Sequence, residues 1–237
     1  MKSILLILLL SIHVQAETRT FELGHGEFEL TSASGDVTIQ GISGSKLKIV
    51  VSKQKWSDAC EVLYKREKNE LHVDVEDNSS WFTSNECRAN FMIEMPQRLE
   101  VDIRVGTGDL KVDSVTGEVD FKIGSGSAQI TNTSAASIEG DIGSGSINLT
   151  GSSREVDFEV GSGKVNVTYS SLYSGSEFSG KTGAGDISLI IPKGKKIKTK
   201  FESGAGELKS NIKQDASADL DIDVATGTGD LSIHYAK

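Results

Sequence analysis

Only two cysteines, two prolines and two tryptophans occur in the 237 residues, and aromatic side chains make up 6% of them. Such scarcity excludes a disulfide-dense miniature scaffold and a proline-rich linker or recognition segment. Histidine is equally sparse: beyond residue 16 only His25, His72 and His234 remain, scattered, with no pair at metal-ligand spacing. Serines abound, yet none sits in the Gly-x-Ser-x-Gly elbow of a strand-to-helix nucleophile. Positive charge is also short, with 25 Lys and Arg against 34 Asp and Glu and a net charge of −9. Nucleic acid and anionic lipid, both held through Lys and Arg, are therefore poor partners.

Long hydrophobic runs are missing apart from residues 4–10, far short of the roughly 20 residues that span a bilayer. Lys2 precedes this run and Val14-Gln15-Ala16 follows it, the layout of a signal peptide over residues 1–16. The mature chain is expected to start near Glu17, to have no transmembrane segment, and to reside in the periplasm or outside the cell. Cys60 and Cys87 both fall in the exported part, where an even count reads as one disulfide.

What the chain does have is glycine, 25 of them, arranged periodically. The tripeptide Gly-[Ser/Thr/Ala]-Gly begins at Gly106, Gly124, Gly143, Gly161, Gly183, Gly204 and Gly227, at spacings of 18, 19, 18, 22, 21 and 23 residues. After most of these corners, apolar residues alternate with polar ones, as in Leu110/Val112, Ile147/Leu149, Val165/Val167, Ile187/Leu189 and Leu231/Ile233. A second alternating run precedes most of them, as in Val101/Ile103/Val105, Val119/Phe121/Ile123, Val156/Phe158/Val160 and Leu220/Ile222/Val224. Period-two alternation marks strands with one buried face. Two strands and two corners per repeat predict an all-β fold, a β-solenoid of about seven two-strand coils stacked about 4.8 Å apart. A β-sandwich of antiparallel hairpins is the alternative, but it gives no reason for one corner motif to recur.

Residues 17–96 differ in texture. They hold one repeat-like unit at Ser34-Gly35-Asp36-Val37, and two alternating runs, Cys60/Val62/Tyr64 and Leu71/Val73/Val75, around a turn at Lys68-Asn69. A short helix over 57–66 is the competing reading of the first run. The region is expected to cap a repeat region at 97–237, the two forming one continuous domain.

Ser34-Gly35-Asp36-Val37, Gly108-Asp109-Leu110-Lys111-Val112, Gly185-Asp186-Ile187-Ser188-Leu189 and Gly229-Asp230-Leu231-Ser232-Ile233, with the lead-in Pro96-Gln97-Arg98-Leu99, resemble the bacterial adhesin-like family of secreted β-strand-repeat domains. The resemblance covers nearly the whole mature chain and implies fold rather than chemistry, since it carries no catalytic or ligand residues. Ser127, Ser146, Lys164 and Glu207 depart from it where the pattern has Asp.

Calcium stacked between coils is disfavoured, because only Asp109, Asp186 and Asp230 hold the corner position and Lys164 would enter an ion column. Asp219, Asp221 and Asp223 share the outer face of one strand and read as a solvated face. Corner hydroxyls suggest an ice-binding array, which Ala184 and Ala205 interrupt. The candidate binding residues are the aromatics Trp56, Tyr64, Trp81 and Phe82, able to stack on sugars or anchor a protein, or else to plug the solenoid end. The expected function is a non-enzymatic, cofactor-free binding or adhesin-like protein that presents a rigid surface to a glycan or protein at the cell envelope, with open strand edges available for self-association. The alternatives are a purely structural envelope component and a glycan-active enzyme with paired carboxylates in a cleft.

Overall fold

The computed structural model describes residues 16–79 and 87–237, and these contain strands and no helix. The predicted leader and both Trp81 and Phe82 lie outside the described residues. The strands are β1 (Ala16–Glu22), β2 (Glu27–Ser34), β3 (Val37–Ile42), β4 (Lys46–Lys55), β5 (Cys60–Glu67), β6 (Glu70–Asp77) and β7 (Arg88–Pro96). Then follow β8 (Glu100–Thr107), β9 (Leu110–Asp113), β10 (Val119–Ser125), β11 (Ala128–Ser144), β12 (Ile147–Ser162) and β13 (Val165–Tyr169). The chain finishes with β14 (Ser176–Ala184), β15 (Ile187–Ile191), β16 (Ile197–Ala205), β17 (Leu208–Ser210), β18 (Leu220–Thr228) and β19 (Leu231–Tyr235). The run beginning at Cys60 is thus strand β5, not helix: its Val62 and Tyr64 pair across a hairpin with Val75 and Val73.

Two parallel ladders run through the molecule. The first passes β6–β2–β8–β10–β11–β12–β14–β18–β16. The second passes β7–β3–β9–β11–β12–β13–β15–β19–β17. Strands β11 and β12 are long enough to serve both, bending from one ladder into the other. This is a β-solenoid-like stack in which equivalent residues of successive repeats lie side by side, and among the described residues the antiparallel pairs a sandwich would need occur only at β1–β4, β4–β7 and β5–β6. Between the ladders runs one core, with Phe28, Phe121, Phe158 and Phe178 among its largest buried side chains. Each such residue contributes about 1.5–3 kcal/mol on burial.

The stack departs from the expected one in extent and in order. Both ladders cross the boundary at 96/97: β2/β3 and β6/β7 are rungs too, so there are more coils than the Gly-x-Gly count of about seven. At the other end, space does not follow sequence. The last coil, β18/β19, lies between β14/β15 and β16/β17. The inward residues explain why. Leu220, Ile222, Val224, Leu231 and Ile233 of the inserted coil are all buried, whereas the outer coil has Thr199 in register with Ile222 and Ser210 in register with Ile233. A coil with polar inward residues loses least by lying outermost, where only one side must be apolar.

The corner motif has a clear physical basis. At Gly145, φ is +146° and a Cβ would sit 1.7 Å from the Gly126 carbonyl oxygen of the coil before. Successive corners are so close that only hydrogen fits between them. The residue after the second glycine then supplies an acceptor to the next coil. Asn90 accepts from the Asp36 amide (3.0 Å), Asp36 from Asp109 (3.1 Å), Asp109 from Ser127 (2.8 Å), and Ser127 from Ser146 (3.2 Å). Asp186 likewise accepts from Asp230 (3.1 Å) and Asp230 from Glu207 (2.9 Å). Asp, Ser and Asn are interchangeable here because each has a short side chain ending in an acceptor. Lys164 has none, and its link to Asp186 runs instead through its Nζ, 3.2 Å from the carboxylate. Asp109→Ala should therefore cost about 1 kcal/mol, measured as a shift in urea midpoint, while Asp109→Asn should keep most of it; an alanine variant of wild-type stability would show that the corner acceptor is dispensable.

At the amino-terminal end the sheets close by antiparallel strands: β5 covers β6, and β4 then β1 cover β7. Cys60 and Cys87 form a disulfide spanning 27 residues, which ties β5 to the start of β7. Loop-closure entropy over this span gives about 3.5 kcal/mol. Cys60→Ser should lower the melting temperature under non-reducing conditions by a matching amount, and an unchanged melting temperature would show that the bridge adds nothing to the fold.

Candidate functional site

The outward residues of the two ladders make two flat faces of different chemistry. On the first ladder, alternate positions fall into columns because the register is kept from coil to coil. One column reads His72, Glu29, Asp102, Asp120, Glu139, Asp157, Ser179, Asp223, Lys200. Its neighbour carries Glu70, Glu27 and Glu100 at one end and Glu155, Glu177, Asp221 and Lys198 at the other. Adjacent rungs, about 4.8 Å apart, thus carry carboxylates side by side. Repulsion shows in their ionisation. Glu27 is pushed above the usual carboxylate range first by burial and then by Asp102, Glu100 and other acids, and Glu139 by burial and then Asp120 and Asp157. Asp102 is raised mainly by burial, although Arg104 lies 2.5 Å from it and opposes the shift.

Cations meet the acids near both ends of this face. Arg104 bridges Glu29 (2.7 Å) and Asp102, and His72 bonds to Glu29, which holds its imidazole charged to higher pH than usual despite burial. At the far end Lys195 meets Asp219 (3.1 Å), Lys198 meets Asp221 (3.1 Å) and Lys200 meets Asp223 (3.4 Å). The acidic run of β18 is therefore matched by lysines of the outermost coil as well as by solvent. A shallow groove of about 370 Å³ lies there, with Glu155, Asp157, Glu177 and Ser179 on one side and Lys198 and Lys200 on the other. A smaller one of about 190 Å³ is lined by Glu27, Glu100, Asp102, Glu118, Asp120 and Glu139. Among the described residues no group of three or more His, Cys, Asp or Glu is arranged to hold a metal ion.

The sign of the pH effect follows from the raised carboxylates. Folding favours their neutral form, so each costs stability above its folded pKa and costs nothing below the unfolded value. Glu139→Gln should raise stability at pH 7 by a few tenths of a kcal/mol, small because the group is exposed, and the gain should vanish near pH 4. A gain that persists there would assign it to something other than charge.

The second face is uncharged over its middle: Gln129/Thr131, Asn148/Thr150 and Asn166/Thr168 stand in register, and Asn166 donates to Asn148 at 2.9 Å. At its edge Asp113 accepts from Thr131 (2.7 Å), Asn132 (2.8 Å), Ser114 (2.9 Å) and Gln40 (3.0 Å), which ties three coils together and holds its carboxyl down to about 2.

Of the aromatic residues singled out from sequence, Tyr64 and Trp56 are among the described residues. Tyr64 packs against Phe21 with ring centroids 5.8 Å apart, Arg19 lies 4.2 Å over its ring, and burial pushes its hydroxyl up to about 12. Trp56 is half-buried against the core with Lys53 Nζ 5.0 Å from its ring. Tyr64 with Phe21 closes the stack end between β1 and β5. The acidic columns are not apparent in sequence except at Glu100/Asp102 and Asp219/Asp221/Asp223. The signal is present, as acids at the outward positions of the first strand of successive repeats, but it becomes a surface only once those strands are stacked.

The family model of Toastrack DUF4097 matches residues 99–234, more than half of the chain. The chain belongs to the Toastrack DUF4097 family. The match begins at Leu99, just before β8, and runs to His234 in β19. No curated protein matches this Toastrack chain. Among solved structures, a candidate cell adhesion protein of Clostridium sporogenes is similar over 94% of this chain and 100% of its own, at 16% identity and a TM-score of 0.43. A candidate adhesin of Bacteroides fragilis is similar over 94% and 97%, at 12% identity and a TM-score of 0.48. A candidate lipid binding protein of Parabacteroides distasonis is similar over 94% and 97%, at 14% identity and a TM-score of 0.33.

Proposed function

We propose that this Toastrack protein is an exported, non-enzymatic binding protein of the adhesin type, a rigid β-solenoid whose outer faces are displayed to a glycan or protein at the cell envelope. The observation that carries this reading is the register of the outward columns: one broad acidic face that continues over many coils and one amide and hydroxyl face over three, both held by backbone ladders. Such surfaces suit recognition over an extended area. A catalytic reading draws less support. Glu155, Asp157, Glu177, Asp221 and Asp223, the carboxylates of the 370 Å³ groove, stand in register on adjacent rungs of one face and do not oppose each other across a cleft. The reading of a purely structural envelope component rests on the same rigidity.

The test is a glycan array and an envelope-extract pull-down with the disulfide-intact protein and three variants. These are Trp56→Ala, the triple Glu139→Gln/Glu155→Gln/Asp157→Asn, and Asn148→Ala/Asn166→Ala. Binding that is lost in one variant and kept in the others supports the adhesin-type reading and assigns the face. No binding by the wild-type protein in either format transfers the weight to a structural component.

A further inference from the structure

One column of the second face crosses successive rungs without a break. Met92, Thr38, Lys111, Gln129, Asn148 and Asn166 stand in register on β7, β3, β9, β11, β12 and β13. Beside it lies a groove of about 350 Å³, lined by the corner acceptors Asp36, Asp109 and Ser127 and by Lys111, Gln129 and Asn148. The acceptors are held in place: Asp36 and Asp109 each take a backbone amide on Oδ1, and among the described residues neither Oδ2 has a partner. The amides are oriented as well. A carboxamide carries two donor hydrogens and two acceptor lone pairs, so the bond from Asn166 Nδ2 to Asn148 Oδ1 fixes both side chains and leaves most of their capacity facing outward. The Thr131 hydroxyl gives its proton to Asp113 and therefore meets a ligand as an acceptor.

We propose that this groove and the amide column beside it are a binding site for a neutral, hydroxyl-rich polysaccharide that lies along the stack. The proposal rests on the adhesin-type reading above and gives one of its two faces a ligand class. Charge selects that class. Over β11 to β13 the column has no ionisable side chain, so a charged polymer gains nothing there, and the net charge of −9 repels an anionic one. The column also lacks the aromatic and Arg anchors that protein interfaces concentrate at their centres. A sugar hydroxyl is donor and acceptor at once, which suits a carboxamide, and it donates to a carboxylate in a charge-assisted bond. At the end of the column Met92 is 59% exposed and offers an apolar rest for the C–H face of a sugar ring. Because amide and hydroxyl recur together on β11, β12 and β13, a longer chain meets more equivalent groups, and affinity should rise with chain length.

The test is affinity electrophoresis of the protein with its native disulfide, in gels that contain hydroxyethyl cellulose, xyloglucan, galactomannan or laminarin as neutral probes, or alginate as an anionic one. Retardation is expected in at least one neutral gel and not in alginate. Gln129→Ala/Asn148→Ala should need about tenfold more polysaccharide for the same retardation, since two outward amides are lost. Gln129, Asn148 and Thr150 are all exposed, and Thr150→Val, which keeps the shape and strand preference of the residue, should weaken retardation several-fold at an unchanged melting temperature; it stands in should the double variant fold poorly. The acidic-face variant Glu139→Gln/Glu155→Gln/Asp157→Asn should be retarded like the wild type. No retardation in any neutral gel overturns the inference, as does retardation that is unchanged in both column variants or equally strong in alginate. If the neutral gels fail while the envelope-extract pull-down captures a partner that the acidic-face variant loses, the adhesin-type reading stands and this site falls alone.

Discussion

Gly145→Val is expected to lose most of the stability of the fold, about 4 kcal/mol or more. Two penalties combine there: a branched residue is forced to φ +146°, and its Cβ is placed 1.7 Å from the Gly126 carbonyl oxygen. The atom in the way is backbone on one of the paired rungs, so relief requires parting the coils. Gly44 separates the two causes, because its φ is +118° but nothing lies within 4 Å of the place a Cβ would take. Gly44→Ala should therefore pay only the conformational cost, about 1 kcal/mol. The measurement is the urea midpoint of both variants with the transition slope held fixed. Equal losses at the two sites would mean that corner crowding contributes nothing and that backbone conformation is the whole effect.

Phe158→Ala should cost about 3–5 kcal/mol. Phe158 is fully buried, and its ring lies 6.1 Å from that of Phe121 at a tilt of 52°. The packing is matched to a gap in the intervening sequence: Gly140 stands between these two rungs in register, and a Cβ there would come 2.1 Å from Phe121 Cζ. The two rings thus share space vacated by one missing side chain, and the neighbours have little freedom to collapse into the hole. A fall in melting temperature on the order of 10 °C is expected for a chain of this size. The double variant Phe121→Ala/Phe158→Ala should lose less than the sum of the single losses, since each single change already breaks the shared contact. A single loss below about 1 kcal/mol would show that the core repacks freely.

The corners, the alternation and the disulfide were legible in the sequence because each depends on local chemistry. Gly145 must be glycine whichever coil it touches, and Val165/Val167 must face inward in any strand arrangement. The first rung was harder to see, since at the corner of β7 the sequence reads Ala89-Asn90-Phe91 with no paired glycines, and only the hydrogen bond from the Asp36 amide shows that Asn90 plays the part of aspartate. Spacing also says that β16 and β18 are equivalent without saying which is outermost. That is settled by a comparison between coils, Thr199 and Ser210 against Ile222 and Ile233, at the level of packing. The outer faces were hidden for a similar reason: Glu29, Asp102, Asp120 and Glu139 are far apart along the chain and become one column only through the ladders. Aromatic residues drew notice by rarity, and Tyr64 with Phe21 closes an end of the stack.

The position of β18/β19 also bears on how the molecule resists tension. A chain pulled from the end of an ordinary stack sheds its outermost rung, one hydrogen bond at a time. Here traction on the carboxyl terminus acts on a rung gripped from both sides, by β14 and β16 in one sheet and by β15 and β17 in the other. Force along the strands loads all four ladders in shear, so many bonds must yield together, and the last strand behaves as a clamp where a sequentially wound coil would peel.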